Sequence, residues 1–229
     1  MTKLVIFDLD GTLLNSLQDL ATSTNYALQR HGYPTHELPA FRYFVGNGID
    51  KLLERALPEA ERSRENVLKI REDFMAYYAE HKADFTAPYD GICELLKTLK
   101  RHQLLLAVAS NKYHAATQEL IPEYFGEGVF DFVYGQREGI PAKPNPTIVF
   151  DIMKEAGAKS VRACASHCVM SGPASERVQD SALEEIVFTD SIPYSNRCAK
   201  VKQLSVADMI AETIRRVINN ESISSQYLV

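Results

Sequence analysis

Short apolar runs along the chain predict the strands of a buried sheet. Residues 4–7 are all apolar, and the polar sequence Asp8-Leu9-Asp10-Gly11-Thr12 follows them at once. A short apolar run that ends at a glycine turn is typical of a strand in a parallel sheet. Runs of the same kind predict further strands over residues 104–109, 130–134, 161–165 and 185–189.

Segments with apolar residues three to five positions apart predict helices between these strands. Before the second strand they lie over residues 16–30, 49–56 and 61–83, with a loop containing Gly32, Pro34 and Pro39 after the first. Later segments of this kind lie over residues 91–101, 113–121, 146–156, 173–183 and 206–219.

The order of these elements predicts an α/β fold with a doubly wound, parallel, Rossmann-like sheet. The helical stretch over residues 16–83 is too long for one crossover between strands, so it predicts an inserted helical domain. We expect a core formed by residues 1–15 and 84–157. Residues 157–229 then form a C-terminal α/β segment that completes the sheet.

Composition narrows the class of protein. The chain has 229 residues, of which 45% are hydrophobic and 24% charged, which is typical of a globular protein with a real core. With 25 basic and 30 acidic residues the net charge is −5, so we expect no nucleic-acid partner. No apolar run is long enough to span a bilayer, and the N-terminus does not resemble a signal peptide. We therefore expect a cytoplasmic protein with no membrane partner.

The four cysteines leave one alternative to consider. Cys164, His167 and Cys168 lie close together and could belong to a metal cluster. The chain has no CxxC pair and no evident fourth ligand, so we favour small apolar residues on or near a strand.

Polar side chains follow three predicted elements at the edge where an α/β sheet binds ligands. Asp8 and Asp10 are two residues apart, so both side chains lie on one side of an extended segment. Ser110 and Asn111 follow the second core strand and can hydrogen-bond an anion. Lys143 precedes a helix and supplies a positive charge.

This set suits phosphoryl transfer. One carboxylate attacks phosphorus, and the second protonates the leaving oxygen and then activates water. Gly11 allows a tight turn, and Thr12 offers a hydroxyl and a backbone N–H. A cation must offset the carboxylates when a dianion arrives, and Mg²⁺ prefers such oxygen ligands.

Each of these residues also has a simpler interpretation. Asp8 and Asp10 could form a solvated turn, and Ser110 could be a helix N-cap. Lys143 could be an ordinary surface lysine.

Three stretches carry a family resemblance: residues 7–13 (FDLDGTL), 109–112 (ASNK) and 142–146 (AKPNP). They resemble motifs one to three of the haloacid dehalogenase (HAD) superfamily, and most closely its phosphoglycolate phosphatases. The resemblance covers about residues 1–157 and implies that the helical insertion is a cap over the active site.

The resemblance also implies residue roles. Asp8 is the nucleophile and Asp10 the general acid and base, while Ser110 and Lys143 bind phosphate. Mg²⁺ is held in part by Asp8 and by the carbonyl of Asp10.

The fourth motif of that superfamily, an acidic pair that completes the Mg²⁺ site, is missing. After the predicted strand 161–165 the chain continues as SHCVMSGP, without an acid. Glu176, Asp180 and Asp190 are the candidate surrogates further along the chain.

The region that replaces the fourth motif resembles a second family. Residues 157–229 are similar to the C-terminal end of ribose-phosphate diphosphokinases, so the chain is interpreted as a chimera of two unrelated pieces. Because the pentose-phosphate loop and the ATP-binding half of that family are absent, we do not expect synthesis of phosphoribosyl diphosphate.

The favoured function is a Mg²⁺-dependent phosphatase that acts on a small phosphorylated metabolite through an aspartyl-phosphate, with activity impaired by the missing motif. A catalytically dead phosphate-binding protein, or a homo-oligomeric scaffold assembled by the C-terminal piece, remains an alternative. So does a fusion product that merely carries a diphosphokinase fragment.

Overall fold

The computed structural model describes residues 4–195 and 198–223. The chain divides into two compact units, Met1–Gly157 and Ala158–Val229.

Over its described residues, 4–157, the N-terminal unit has five strands and seven helices. The strands are β1 (Leu4–Phe7), β2 (Leu14–Asn15), β3 (Ala87–Pro88), β4 (Leu105–Tyr113) and β5 (Phe132–Gln136). The helices are α1 (Leu17–Arg30), α2 (Leu38–Phe44), α3 (Ile49–Ala56), α4 (Arg64–His81), α5 (Ile92–Arg101), α6 (His114–Phe125) and α7 (Thr147–Glu155), with a 3₁₀ turn at Glu59–Glu61.

Strand β4 lies at the centre of a parallel sheet in the order β1-β4-β5. Its alternate side chains enter two different cores. Leu106 and Val108 pack with residues of α5 and α6, whereas Ala107 and Ala109 pack with α7. Because helices cover both faces of the sheet, the predicted α/β fold is confirmed.

The helices α1–α4 form the predicted insertion and have a hydrophobic core of their own. Phe41, Leu53, Ile70 and Phe74 are all fully buried in it. Helix α2 was not predicted, because Gly32, Pro34 and Pro39 made this region look like a loop. Pro39 lies in the first turn of α2, where its missing N–H has no helical partner to lose.

Several element boundaries differ from the predicted ones. Strand β4 continues to Tyr113 rather than ending at Ala109, because pairing with β5 resumes at Tyr113 and Gln136 after a register shift. The polar residues Ser110, Asn111 and Lys112 therefore belong to the strand itself.

The C-terminal unit contains β6 (Val161–His167), α8 (Ala174–Asp180), β7 (Leu183–Thr189), β8 (Val201–Leu204) and α9 (Ala207–Ile218). Its strands pair in parallel in the order β6-β7-β8, as a separate three-stranded sheet. Strand β7 therefore has a partner on each side within this unit, and the expectation that residues 157–229 complete the sheet of the core stays a prediction. Strand β8 was not predicted, since two polar residues interrupt its short sequence.

The C-terminal unit has a small core and an exposed helix face. Its buried cluster consists of Cys168, Phe188, Cys198 and Val201. On α9 the side chains of Ile210, Ile214 and Val217 are about half exposed. The self-association expected of this piece stays a prediction.

A search of the described helices finds none with the length and apolar character needed to cross a bilayer.

Two short strands mark where the chain leaves and re-enters the core around the insertion. Strands β2 and β3 are antiparallel, with Leu14 opposite Pro88. Beside them the buried carboxylate of Asp19, on α1, accepts hydrogen bonds from the backbone N–H groups of Phe85 and Thr86 and from the Thr86 hydroxyl. Asp19 therefore ties the first helix of the insertion to the segment that returns from it.

We expect Asp19→Asn to lower the free energy of unfolding by about 2–4 kcal/mol, because an amide nitrogen would face backbone donors in a buried site. Urea denaturation followed by circular dichroism measures this change. Asp50→Asn makes the same chemical change at a carboxylate that is 60% exposed, and it should cost less than about 1 kcal/mol. Equal effects of the two substitutions would contradict the role given to Asp19.

Candidate active site

The two aspartates of the site leave the end of β1 in a tight turn. Asp8 follows the strand and its Oδ1 accepts a hydrogen bond of 2.8 Å from the N–H of Leu9. Gly11 has a φ of 81°, a left-handed conformation that glycine adopts without strain. The N–H of Gly11 then donates to the carbonyl of Leu14, which closes the turn. The glycine turn therefore keeps Asp8 and Asp10 at the sheet edge.

Lys143 pairs with the first aspartate. Its Nζ lies 2.7 Å from Asp8 Oδ1 and 2.6 Å from the carbonyl oxygen of Ala109. Both contacts of the Asp8 carboxylate therefore fall on Oδ1. In the described part of the chain Asp8 Oδ2 accepts no hydrogen bond, and the Asp8 side chain, which lines the cleft, is 49% exposed.

Asn111 fixes the loop that carries Lys143. The Asn111 Oδ1 accepts from the backbone N–H of Lys143 at 2.7 Å, and Nδ2 donates to the Lys143 carbonyl at 3.0 Å. The same Nδ2 donates to the carbonyl of Gly46 at 3.1 Å. Asn111 thus joins the sheet to the Lys143 loop and to the loop between α2 and α3.

Asp10 pairs with a second, buried lysine. Its Oδ1 accepts from the Ser16 hydroxyl and, at 2.9 Å, from Lys112 Nζ. The Lys112 side chain is only 4% exposed. Burial by itself lowers the pKa of Lys112, but the charge of Asp10 and the nearby Tyr78 outweigh it, so the pKa lies well above its usual value. Lys112 is therefore a permanent cation inside the site.

A small cleft opens beside these groups. It has a volume of about 60 Å³, several times the roughly 10–15 Å³ that a water molecule needs. Asp8, Asp10, Ser110, Asn111 and Lys112 line its polar side. The helical insertion contributes the apolar side chains of Leu20, Val45, Ile49, Leu52 and Met75.

The structure brings most of the predicted site residues together. Ser110 is buried at the cleft, and its hydroxyl accepts from the N–H of Lys112 at 3.0 Å. Lys143 is connected to the site by the contact of its Nζ with Asp8. Gly11 and Thr12 lie in the adjoining turn, exposed, and do not line the cleft in the described residues.

Sequence reasoning missed three residues of the site. Lys112, Ser16 and Tyr78 all contact or face the Asp10 side of the cleft. The position of Lys112 directly after Ser110-Asn111 was a usable signal. No local signal marked Tyr78, which comes from helix α4.

The donor set is compatible with Mg²⁺ but sparse. The Asp8 carboxylate and the Asp10 carbonyl are oxygen donors, and Mg²⁺ ordinarily takes one or two carboxylates together with phosphate and several waters. Within residues 4–195 and 198–223, no group of three or more His, Cys, Asp or Glu side chains could hold a metal ion. Cys164, His167 and Cys168, all within the described residues, do not form such a group.

One surrogate acid already has a local role. In the C-terminal unit, Asp190 Oδ1 accepts from the N–H of Val206 at 2.9 Å, next to the start of α9. Hydrogen bonds from Ser205 and from this N–H lower the pKa of Asp190.

Comparison with known proteins places this site in a family. The model of the haloacid dehalogenase-like hydrolases matches residues 5–165. The chain belongs to this family. A phosphoglycolate phosphatase of Mannheimia succiniciproducens is 34% identical over 161 residues, which cover 68% of this chain and 72% of that protein. The crystal structure of a predicted phosphoglycolate phosphatase from Haemophilus somnus 129pt has a TM-score of 0.70 at 26% identity, covering 93% of this chain and 98% of that one.

The C-terminal region of this HAD-like hydrolase matches a second group. The model of the phosphoribosyl synthetase-associated domain covers residues 147–228. A ribose-phosphate pyrophosphokinase of Porphyromonas gingivalis is 62% identical over 77 residues, which make up 34% of this chain. The chain spans only 25% of the length of that relative. The predicted resemblance to two families is confirmed.

The ion pair between Asp10 and Lys112 gives a prediction for stability. Asp10→Asn leaves the Lys112 ammonium unpaired in a buried site and should lower the free energy of unfolding by about 3 kcal/mol. Lys112→Met should cost less, because the Asp10 side chain is 16% exposed and can keep some hydration.

A double-mutant cycle measured by urea denaturation checks the pairing. The double variant should lose less than the sum of the two single losses, by about 1–3 kcal/mol. Lys51→Met, in a surface pair with Glu54, is the control and should change stability by less than about 1 kcal/mol. Additive losses at Asp10 and Lys112 would count against the ion pair as a stabilising unit.

Proposed function

We propose that the chain hydrolyses small phosphomonoesters. One observation carries this proposal: two carboxylates at the end of β1 are each paired with a lysine ammonium group, beside one small cleft. Membership of the haloacid dehalogenase-like hydrolases supports it independently.

In the first step Asp8 Oδ2 attacks phosphorus, and the bond between phosphorus and the ester oxygen breaks as an aspartyl-phosphate forms. Asp10 gives its proton to the departing oxygen, so the leaving group departs as an alcohol. In the second step Asp10 takes a proton from water, and the resulting hydroxide attacks phosphorus. This releases inorganic phosphate and restores the Asp8 carboxylate.

The cations lower the barrier by offsetting charge. Lys143 lies against Asp8 and provides a fixed ammonium where the phosphoryl oxygens arrive. Lys112 and Ser16 hold Asp10 Oδ1, which leaves Oδ2 to exchange the proton. The buried Ser110 hydroxyl is a further ligand for a phosphoryl oxygen.

Mg²⁺ supplies additional charge neutralisation when it is bound. Asp8 and the Asp10 carbonyl are the groups that would hold it. Because these donors are few, we expect weak binding of the metal and a requirement for a high Mg²⁺ concentration.

The relatives are the basis for a proposed substrate class. The curated relatives at 34–37% identity are named phosphoglycolate phosphatases. We therefore propose a phosphoglycolate-like ester as the substrate.

A phosphate-binding protein without turnover is the second candidate. The observation that favours it is the lack of a third metal-binding side chain among the described residues. Phosphate would then bind at Lys143 and Ser110 and remain uncleaved.

We expect Mg²⁺-dependent release of phosphate from phosphoglycolate, and Asp8→Asn should reduce it at least about 1,000-fold because the nucleophile is lost. Malachite-green detection over a Mg²⁺ titration measures this release. Asp90→Asn, at an exposed acid away from the cleft, should keep the wild-type rate.

Calorimetry with phosphate and Mg²⁺ separates the two candidates. Binding without any release above the Asp8→Asn level, at every Mg²⁺ concentration, would refute the phosphatase and leave the binding protein.

A further inference from the structure

The cleft is lined by a buried tyrosine that the proposed reaction does not use. Tyr78, on α4, is 4% exposed and lines the cleft together with the two aspartates. Its hydroxyl has no hydrogen bond of ordinary length within the part of the chain that the structure describes, although it interacts with the nearby ammonium group of Lys112. A buried hydroxyl without such a hydrogen bond is uncommon, because it loses its hydrogen bonds to water on folding.

The surroundings of Tyr78 are otherwise apolar on the side of the insertion. The described side chains that helices α1, α3 and α4 contribute to the cleft are Leu20, Ile49, Leu52, Met75 and Tyr78, and Tyr78 alone among them carries a hydroxyl. For a bound molecule that lies against these helices, the Tyr78 hydroxyl is therefore the hydrogen-bonding side-chain group on that side of the cleft.

Lys112 lies between Tyr78 and Asp10. Its Nζ is 5.0 Å from the centre of the Tyr78 ring and 2.9 Å from Asp10 Oδ1. The phenol is thus next to a cation and on the same side of the cleft as the residue that faces the leaving oxygen.

The phenol keeps its proton under ordinary conditions. Burial raises the pKa of Tyr78, and although the charge of Lys112 lowers it, the effect of burial is larger. The hydroxyl is therefore a hydrogen-bond donor for an acceptor oxygen.

We propose that the Tyr78 hydroxyl binds an acceptor oxygen on the leaving group and so selects phosphoesters whose leaving group carries a carboxylate. This inference rests on the proposed function, and it assigns to Tyr78 the recognition of the part of the substrate beyond the phosphoryl group. The adjacent Lys112 ammonium favours an anionic acceptor over a neutral one.

Tyr78→Phe removes only the hydroxyl and keeps the ring next to Lys112. The effect of this substitution is measured with two ligands of similar shape, phosphoglycolate and isobutyl phosphate. In isobutyl phosphate an isopropyl group replaces the carboxylate. Titration calorimetry is run in the Asp8→Asn background with Mg²⁺, so that neither ligand is consumed. Tyr77→Phe, on the same helix and outside the cleft lining, is the matched control.

We expect Tyr78→Phe to weaken phosphoglycolate binding about 10- to 100-fold and isobutyl phosphate binding less than about twofold. Tyr77→Phe should leave both affinities unchanged. In the hydrolysis assay with Asp8 intact, kcat/KM should fall by a similar factor for phosphoglycolate alone.

Equal losses of affinity for both ligands in Tyr78→Phe would show a merely structural role and overturn the proposal. Unchanged phosphoglycolate binding would also overturn it, and so would a protein that binds neither ligand. If the Asp8→Asn protein discriminates through Tyr78 but the wild-type protein releases no phosphate, the proposed hydrolysis fails and the recognition by Tyr78 stands.

Discussion

Two aspartates at the end of one strand repel each other and repel any phosphate that approaches, so the site depends on the cations beside them. Lys143 contacts Asp8 at 2.7 Å, and Lys112 contacts Asp10 at 2.9 Å. Pairs at such distances interact strongly where water is partly excluded. The two ion pairs differ in burial: the Asp8 pair is accessible, whereas the Lys112 ammonium is enclosed. The accessible pair can exchange partners with a substrate, while the enclosed pair keeps Asp10 in place.

Strand β4 organises both ion pairs. Its first half supplies alternate apolar side chains to two cores, and its last residues supply the polar side chains of the site. Lys112 belongs to this strand, and Asn111 holds the backbone of Lys143 through two hydrogen bonds. A rigid strand that is packed on both faces therefore fixes the positions of groups that come from distant parts of the sequence.

The sequence was sufficient to predict the residues whose roles follow from local order. Their positions were predicted from spacing alone, because Asp8 and Asp10 directly follow one predicted strand and Ser110 and Asn111 follow the next. The pairing of Lys112 with Asp10 could not be predicted in this way, because the two residues lie 102 positions apart and only the register of β1 against β4 brings them together. Tyr78 was missed because nothing in the sequence of α4 distinguishes a tyrosine that lines the cleft from one that packs in the core of the insertion. Strand β8 was missed because its polar, exposed residues do not form an apolar run. Only its pairing with β7 shows that it is a strand.

The point where the two differently related parts of the chain join matters for the proposed chemistry as well as for the fold. Helix α7 ends at Glu155, and Gly157 follows its C-cap with a φ of 68°, a common way to terminate a helix. The strands described in each unit pair within that unit. The C-terminal region matches a second family, and the acidic pair expected from the resemblance is missing from its sequence. Within this region Asp190 accepts a hydrogen bond from the N–H of Val206. With metal donors so few, the balance of charge around Asp8 and Asp10 rests mainly on two lysines. Ammonium groups attract a phosphate dianion without any metal, so the site should keep its affinity for phosphate even where it loses turnover. The proposed binding of phosphate therefore does not depend on the metal that the proposed hydrolysis uses.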